Sequence, residues 1–414
     1  MVTNRPFLLR FLFLYVLFYT SPFPLDQLGI LYLRDIYELM WIPVIDWVGN
    51  LFITINIADL GIGPDTPLEF ILALVFAVLS ALGALVWTRF DTSDKKVTYW
   101  FFLYLRLYLG LIMFTYGIGK ILPLQMHHFP LSRLLVTIGD SDTWGLTWNF
   151  MAFGRGYEIF TGLVEAVGGI LLFHRRTRLL GGLILIGALI NVVAINLFYG
   201  VPVKLFASHL LLFSILIVLP DSKRIFNFLA NNPVESLDEI RPDFSKRQRL
   251  FIDSTKWIFV TIAMFLSINY SLSLVKEMSD VPLFGIYEVD KYVLNGEEVP
   301  PLATDSVRLK YMVIDNNYGI QMIPMDGDYK LIPAEIDTIN QKIAFKESLM
   351  GEDSLFIDYN FRDRSFELRG VTGEDSLFIT GQILTEEDFR INQNRFYLIR
   401  THENTQHNTA WPRR

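Results

Sequence analysis

One carboxylate stands inside an apolar stretch of the chain. Glu165 lies in FTGLVEAVGGILLFHRR, residues 160–176, where its neighbours are too apolar for a helix that faces water. An ionisable side chain is costly in hydrocarbon, so such groups usually pair with a partner or take part in function. Glu165 is therefore the first candidate for chemistry.

Three more polar side chains lie near the centres of neighbouring apolar stretches: Arg106, Asn191 and His209. Helices that follow one another through short links are usually neighbours, so we expect these groups and Glu165 to converge in one buried polar site. Two interpretations remain open. Arg106 and Glu165 could form a structural ion pair, with Asn191 bonding between helices. Alternatively, the four groups line a ligand site or a proton path.

A second polar group falls near the outer ends of the same stretches. This outer-end cluster comprises Lys120, Tyr157, Glu158, Asn196 and Lys204. Most of these side chains fit the interface, where a long side chain covers apolar surface and its polar end reaches water. Lys204, in the short link FYGVPVKL, is the hardest to explain in that way.

The composition predicts an integral membrane protein. Of the 414 residues 52% are hydrophobic and 14% aromatic, and the apolar residues come in blocks. The net charge of −7 argues against nucleic acid as a partner. The absence of cysteine excludes disulfides, thiol redox chemistry and cysteine-held metals. Only His127 and His128 are adjacent histidines, and they do not predict a metal site.

About seven stretches have the length needed to cross a bilayer. They lie near residues 7–23, 67–88, 98–119, 156–173, 179–199, 203–219 and 256–275. The Lys and Arg residues concentrate in alternate links, which predicts a cytoplasmic N-terminus and an extracytoplasmic C-terminus. The first stretch resembles a signal peptide without a cleavage site, so we expect it to be retained. Residues 36–57 predict a helix on or dipping into the outer interface.

Residues 281–414 have a different pattern. From Gly285 onward apolar and polar residues alternate, with turn signals such as Asn295-Gly296 between the runs. About eight or nine short strands are predicted, in a compact antiparallel barrel or sandwich. We expect side chains to fill a barrel of this size, although one that holds a small apolar ligand is the alternative.

Several of these stretches resemble the DoxX-like membrane family. They are RLYLGLIMFTYGIGK, GDSDTWGLTWNFMAFGRGYEIFTGLVEAVGGILLFHRRTRLLGG and NVVAINLFYGVPVKL. The likeness covers residues 98–220, with a weaker one through SPFP and NIADLGIGPDTP, and is to the long form with extra N-terminal helices and an outer β domain. The resemblance implies a quinone-associated helical protein in which Arg106, Lys120 and Glu165 occupy motif positions.

The expected fold is therefore an α-helical transmembrane bundle with a DoxX-like four-helix core, followed by a small all-β domain. Five parts are expected: N-terminal membrane helices with the interfacial segment (1–97), the membrane core (98–220), a cytoplasmic basic loop (221–255), a last transmembrane helix (256–276) and the extracytoplasmic β domain (281–414).

Two functions are compatible with this organisation. The chain could be a membrane subunit or binder for a quinone-like lipophilic molecule, held between spans three to six in a bacterial inner membrane. It could instead be a non-catalytic envelope accessory or assembly protein whose β domain docks a partner. The sequence contains no evident cofactor motif, and a bound quinone is implied by the resemblance alone. Redox activity would therefore need a partner protein that supplies electrons. A transporter fits less well, because inverted repeats are not evident.

Overall fold

The computed structural model describes residues 6–28, 32–52, 63–90, 94–126, 131–234, 242–345, 355–372 and 375–389. Two compact units divide the chain. The first is helical and holds the chain up to His128 and Asp142–Lys276. The second is the β domain together with part of the link that precedes Asp142.

Ten α-helices are found among the described residues of the first unit. They are α1 (Pro6–Thr20), α2 (Tyr32–Phe52), α3 (Pro67–Phe90), α4 (Asp94–Ile121), α5 (Thr143–Phe153), α6 (Arg155–Phe173), α7 (Arg178–Phe198), α8 (Lys204–Val218), α9 (Ser222–Leu229) and α10 (Lys246–Ser279). The segment predicted to lie at the interface is thus helical as far as Phe52, with Pro43 inside the helix, and residues 53–57 lie outside the described part.

Within the part of the chain that the structure describes, six helical segments are long and apolar enough to cross a membrane: Pro67–Phe90, Asp94–Ile121, Arg155–Phe173, Arg178–Phe198, Lys204–Leu229 and Lys246–Ser279. They match the last six predicted spans. The first predicted span falls on α1, whose 15 residues cover about 22 Å, less than the ~30 Å of a bilayer core. A total of seven spans therefore stays a prediction.

Glycines let α4 and α6 pack with their backbones in contact. A Cβ atom added at Gly117 would lie 2.5 Å from the Gly162 carbonyl oxygen, and one added at Gly110 would lie 2.9 Å from that of Gly169. The two helices are antiparallel, so Gly117 meets Gly162 at one end and Gly110 meets Gly169 further along. Small residues permit this close approach in membrane helices.

Glycines also permit close contacts of α7 with α6 and α8. A Cβ atom at Gly181 of α7 would lie 2.7 Å from the carbonyl oxygen of Gly168 on α6. A Cβ atom at Gly182 would lie 2.6 Å from the Val218 side chain at the end of α8. Helix α8 also contacts α4, so α4, α6, α7 and α8 pack around a common interior.

The second unit contains a nearly closed antiparallel sheet. Its strands are β1 (Gly285–Leu294), β2 (Glu297–Glu298), β3 (Leu309–Ile314), β4 (Ile320–Pro324), β5 (Lys330–Ile332), β6 (Ala334–Asp337), β7 (Lys342–Phe345), β8 (Leu355–Arg362), β9 (Ser365–Thr372) and β10 (Asp375–Leu384). The sheet order is β5-β4-β3-β1-β10-β9-β8-β7-β6, with β2 paired to β1. Only Pro333 separates the edge strands β5 and β6, so the meander almost closes into a barrel.

One apolar cluster forms the core of the barrel. Alternate residues of the strands contribute to it, including Tyr287, Met312, Phe345 and Ile357. Strand alternation places the residues between them on the outer face. The predicted antiparallel β domain is therefore confirmed in its class, and the ten strands in its described residues slightly exceed the predicted number.

The link between α4 and α5 contributes to the barrel unit. Leu131 packs on Ile286 and Val313, outward-facing residues of β1 and β3. Its backbone N–H donates a hydrogen bond to the Asp315 carboxylate, with 2.8 Å between nitrogen and oxygen. The stretch that the sequence predicted to be a long outer loop is therefore folded in part against the β domain.

Candidate functional site: a buried charged cluster on α4 and α6

Two carboxylates and two glycines share one face of α6. Glu158, Gly162, Glu165 and Gly169 follow at intervals of four, three and four residues, which places them in one stripe along a helix. The glycines of this stripe contact the α4 backbone. Both carboxylates are consequently drawn into the helical core, where Glu158 is 0% and Glu165 is 3% exposed.

Glu165 pairs with Lys120 from the last turn of α4. The Lys120 ammonium donates a hydrogen bond to Glu165 Oε1, and the lysine is itself only 6% exposed. The second carboxylate oxygen, Glu165 Oε2, is buried and accepts no hydrogen bond from the described residues. The pair is thus neutral overall but leaves one acceptor unused.

Arg155 links the second carboxylate to the end of α4. Its Nη1 donates to Glu158 Oε2 over 2.7 Å and to the Lys120 backbone carbonyl over 2.9 Å. Its Nη2 donates to the carbonyl of Ile121. The last carbonyls of a helix have no partner within the helix, so Arg155 supplies one while it neutralises Glu158.

Glu158 also retains an unused acceptor, because its Oε1 atom is buried without a hydrogen bond in the described structure. The buried charged cluster, defined as Lys120, Arg155, Glu158 and Glu165, therefore balances two negative and two positive charges. It still offers two carboxylate oxygens. Buried polar groups are normally satisfied by protein, water or a ligand, so these oxygens mark a place for hydrogen-bond donors.

The structure does not pair Arg106 with Glu165, and that prediction is wrong. Glu165 pairs with Lys120, while the Nε of Arg106 donates over 3.1 Å to Phe102 on its own helix. The prediction assumed that the centres of the two helices lie at equal depth. Helix α4 has 28 residues and α6 has 19, and they are aligned at Ile121 and Arg155. Arg106 is therefore displaced toward the far end of α6.

Asn191 does not join a buried site either, because its side chain is exposed on α7. The buried positions of α7 include Leu185, Leu189 and Asn196. At about 100° per residue, Asn191 points about 200° away from Leu189. The prediction used depth in the span alone and took no account of the direction of the side chain.

His209 is buried, but its partners come from α1. A carbonyl only accepts hydrogen bonds, so the 2.8 Å contact with the Leu205 oxygen places the ring proton on Nδ1. Nε2 then accepts from the Tyr15 hydroxyl over 2.7 Å. The Tyr19 ring stacks on the imidazole at 3.8 Å. Both ring nitrogens are satisfied in a neutral histidine, which makes it a packing element.

The residues of the outer-end cluster do not form one group. Lys120 and Glu158 belong to the buried charged cluster. Asn196 is buried and donates to the Val203 carbonyl over 3.3 Å. Lys204 lies beside a carboxylate that the sequence had not indicated, Asp65. Tyr157 is 46% exposed, with its ring near Phe150 and Phe160.

Asp65 caps the first turn of α8 from a distant part of the chain. Its carboxylate accepts the backbone N–H groups of Lys204 and Leu205 over 2.7 and 2.8 Å, and the Lys204 ammonium lies 3.3 Å away. Asp65 stands just before α3, where the sequence alone would assign it as a local cap. Arg155 was also missed, although its spacing of three residues from Glu158 is a recognisable helical pairing signal.

Metal ligation has no support in the described residues, since no group of three or more His, Asp or Glu side chains among them is arranged to hold an ion. No family model matches the chain. The chain is 25% identical over 131 residues to the "Uncharacterized protein YwoB" of Bacillus subtilis (strain 168), a match that covers 32% of this chain and 83% of that protein. No solved structure matches. Function must therefore be argued from the site.

Proposed function

We propose that this chain is a DoxX-like multi-pass membrane protein that binds a lipophilic molecule with a quinone-like polar head at the buried charged cluster. The observation that carries the proposal is the pair of unused carboxylate oxygens, Glu158 Oε1 and Glu165 Oε2, in side chains buried inside the helical core. The resemblance adds support, because Lys120 and Glu165 occupy its motif positions.

The donor and acceptor inventory suits such a head group. An ammonium has three N–H donors, and Lys120 donates one of them to Glu165. A ligand carbonyl can accept from Lys120, whereas a ligand hydroxyl can donate to the free oxygen of Glu165 or Glu158. The donors and acceptors of the site therefore match both the oxidised and the reduced form of a quinone head group.

A purely structural role for the cluster makes a different prediction. Replacing a buried ion pair by apolar residues of similar volume is often neutral for stability. If the pair only holds α4 against α6, then Lys120→Met combined with Glu165→Leu will restore every property of the protein. If the charges bind a ligand, that double variant will fold but will not bind the ligand.

The test is to extract the purified protein with organic solvent and measure lipophilic quinones per chain. We expect a near-stoichiometric amount from the wild type and a loss of at least tenfold in the double variant Lys120→Met/Glu165→Leu. The matched control is Arg10→Met/Asp94→Leu, since the fully buried Arg10 pairs with the partly exposed Asp94, with 2.9 Å between nitrogen and oxygen. Asp94 lies about 39 Å from Lys120 along α4. Wild-type protein without bound quinone, or equal binding in both variants, would overturn the proposal.

The proposal includes a location in the bacterial inner membrane, with a cytoplasmic N-terminus and an extracytoplasmic barrel. Charge asymmetry supports this orientation. The fold of the link bears on one part of this arrangement: residues 131–141 belong to the barrel unit, so the link and the chain after α10 share one side in either orientation. A reporter that is active only in the cytoplasm, fused after Arg414, should be silent. Activity of that reporter would reverse the orientation.

An accessory role in the envelope is the second candidate. It is favoured by two neighbouring apolar residues on the outer face of β8 and β9, Phe356 at 58% and Val371 at 70% exposed. Exposed apolar groups of this kind suit a docking partner. Crosslinking in cells should capture an envelope protein from the wild type and lose it in Phe356→Ser/Val371→Ser. An unchanged capture pattern would remove this candidate.

A further inference from the structure

One polar side chain on the surface of the helical core has no partner. Asn191 is exposed on α7, and the described residues give its amide no hydrogen bond. Helix α7 has 21 residues, about 31 Å, and Asn191 lies about 10 Å from its C-terminal end. At that depth the surroundings are hydrocarbon. An amide without a hydrogen bond is unfavourable there, because lipid tails have no hydrogen-bonding groups.

Two other exposed polar side chains on these helices are satisfied by their own helix. Asn269 of α10 donates to the Phe265 carbonyl four residues earlier, with 2.8 Å between the atoms. Ser208 of α8 donates in the same way to Lys204 over 2.7 Å. Asn191 has a carbonyl available four residues earlier and does not use it. Its amide is thus left for a group outside the chain.

The surface around Asn191 is apolar and includes a glycine, two features of helix–helix contacts in membranes. Leu183, Ile190 and Leu197 are 42%, 55% and 57% exposed and follow at helical spacing. Gly187 lies on the same face, one turn before Asn191, and a Cβ atom added there would meet nothing within 4 Å. A glycine beside a polar residue permits the close approach that interhelical hydrogen bonds need.

We propose that this α7 face, residues 183–197, is the interface between two copies of the chain in the membrane. Two parallel copies place Asn191 at the same depth, and an amide carries both donors and an acceptor, so two copies can satisfy each other across a two-fold axis. A different membrane protein would need its own polar group at that depth. The second copy is therefore the occupant that the residue itself specifies.

The test measures dimerisation of the purified full chain in lipid bilayers by single-molecule photobleaching over a range of protein to lipid ratios. We expect a dimer for the wild type and a dissociation constant raised roughly tenfold or more for Asn191→Leu. The matched control is Asn269→Leu, whose amide is already satisfied, and it should leave the constant unchanged. Asn191→Gln should restore most of the association.

A second measurement places the contact on α7. The chain contains no cysteine, so Ile190→Cys carries a single thiol and should form a crosslinked dimer in the bilayer. Leu82→Cys on α3, where Leu82 is 55% exposed, should not. A monomeric wild type, an Asn191→Leu variant that associates as the wild type does, or crosslinking of Ile190→Cys only to a foreign protein would each overturn the proposal.

Discussion

Two ionic clusters of the helical core compensate buried carboxylates in different ways. At the junction of α7, α8 and α9, each oxygen of the Asp221 carboxylate lies 2.6 Å from a guanidinium nitrogen, one from Arg178 and one from Arg224. Arg178 also donates to the Ile217 carbonyl over 3.1 Å. In the buried charged cluster, by contrast, each carboxylate has one cationic partner among the described residues, and its second oxygen accepts no hydrogen bond there.

We propose that this difference separates charge that joins helices from charge that binds a ligand. Asp221 Oδ2 makes no hydrogen bond with a described residue either, but two guanidinium groups face this carboxylate, one beside each oxygen. A buried carboxylate with one oxygen that accepts no hydrogen bond is destabilising unless water or a ligand donates to that oxygen.

The largest effect is expected from breaking the Lys120–Glu165 pair. Glu165→Gln leaves a buried ammonium without its counter-charge and should lower the free energy of unfolding by about 3 to 5 kcal/mol. Lys120→Met should do the same, and Lys120→Met/Glu165→Leu should recover much of the loss. Thermal unfolding in detergent checks the cycle. Losses that simply add would mean that the two groups do not interact.

The Asp221 cluster should show stability effects without ligand effects. Asp221→Asn leaves two partly exposed arginines facing each other and should cost about 2 kcal/mol, less than Glu165→Gln because water reaches the arginines. Bound lipophilic molecule per folded chain, measured after extraction, should stay at the wild-type level. Loss of the ligand in this variant would remove the distinction between the two clusters.

A methyl group at the helix contact tests whether the site depends on the close approach of α4 and α6. Gly162→Ala would place Cβ 2.7 Å from the Gly117 carbonyl oxygen, so we expect a loss of about 1 to 3 kcal/mol and weaker binding. Gly119→Ala is the control, because a Cβ atom there meets nothing within 4 Å. Equal unfolding temperatures for the two variants would contradict the described contact.

The smallest effect concerns a satisfied carboxylate in the barrel. Asp305 Oδ1 accepts the backbone N–H groups of Arg308 and Val307 over 3.0 and 2.8 Å, and these bonds lower the pKa of Asp305 below its usual 3.8. A lowered pKa means that the stabilisation is complete above that usual value and is lost as pH falls through the lower one. The protection factors of the β3 amides, which correct for the intrinsic pH dependence of exchange, should therefore fall below about pH 4. Asp305→Asn should abolish that local dependence, and an unchanged profile would contradict it.

Local patterns in the sequence were sufficient to predict most of the architecture. Period-two alternation located the β domain near Gly285, and apolar length located the six helices that can cross a membrane. Depth and direction were harder to predict. Arg106 was misplaced because α4 and α6 differ in length, and Asn191 was misplaced because its position around α7 was not considered. Asp65 was missed because it caps a helix about 140 residues later in the chain, which no local signal shows.

Native mass spectrometry of the wild type beside Lys120→Met/Glu165→Leu tests the central claim most directly. Both proteins should show similar unfolding temperatures, because the apolar pair replaces the ionic one. We predict one lipophilic adduct with a quinone-like head on the wild type and none on the double variant. An identical adduct on both proteins, or no adduct on the wild type, would contradict the account.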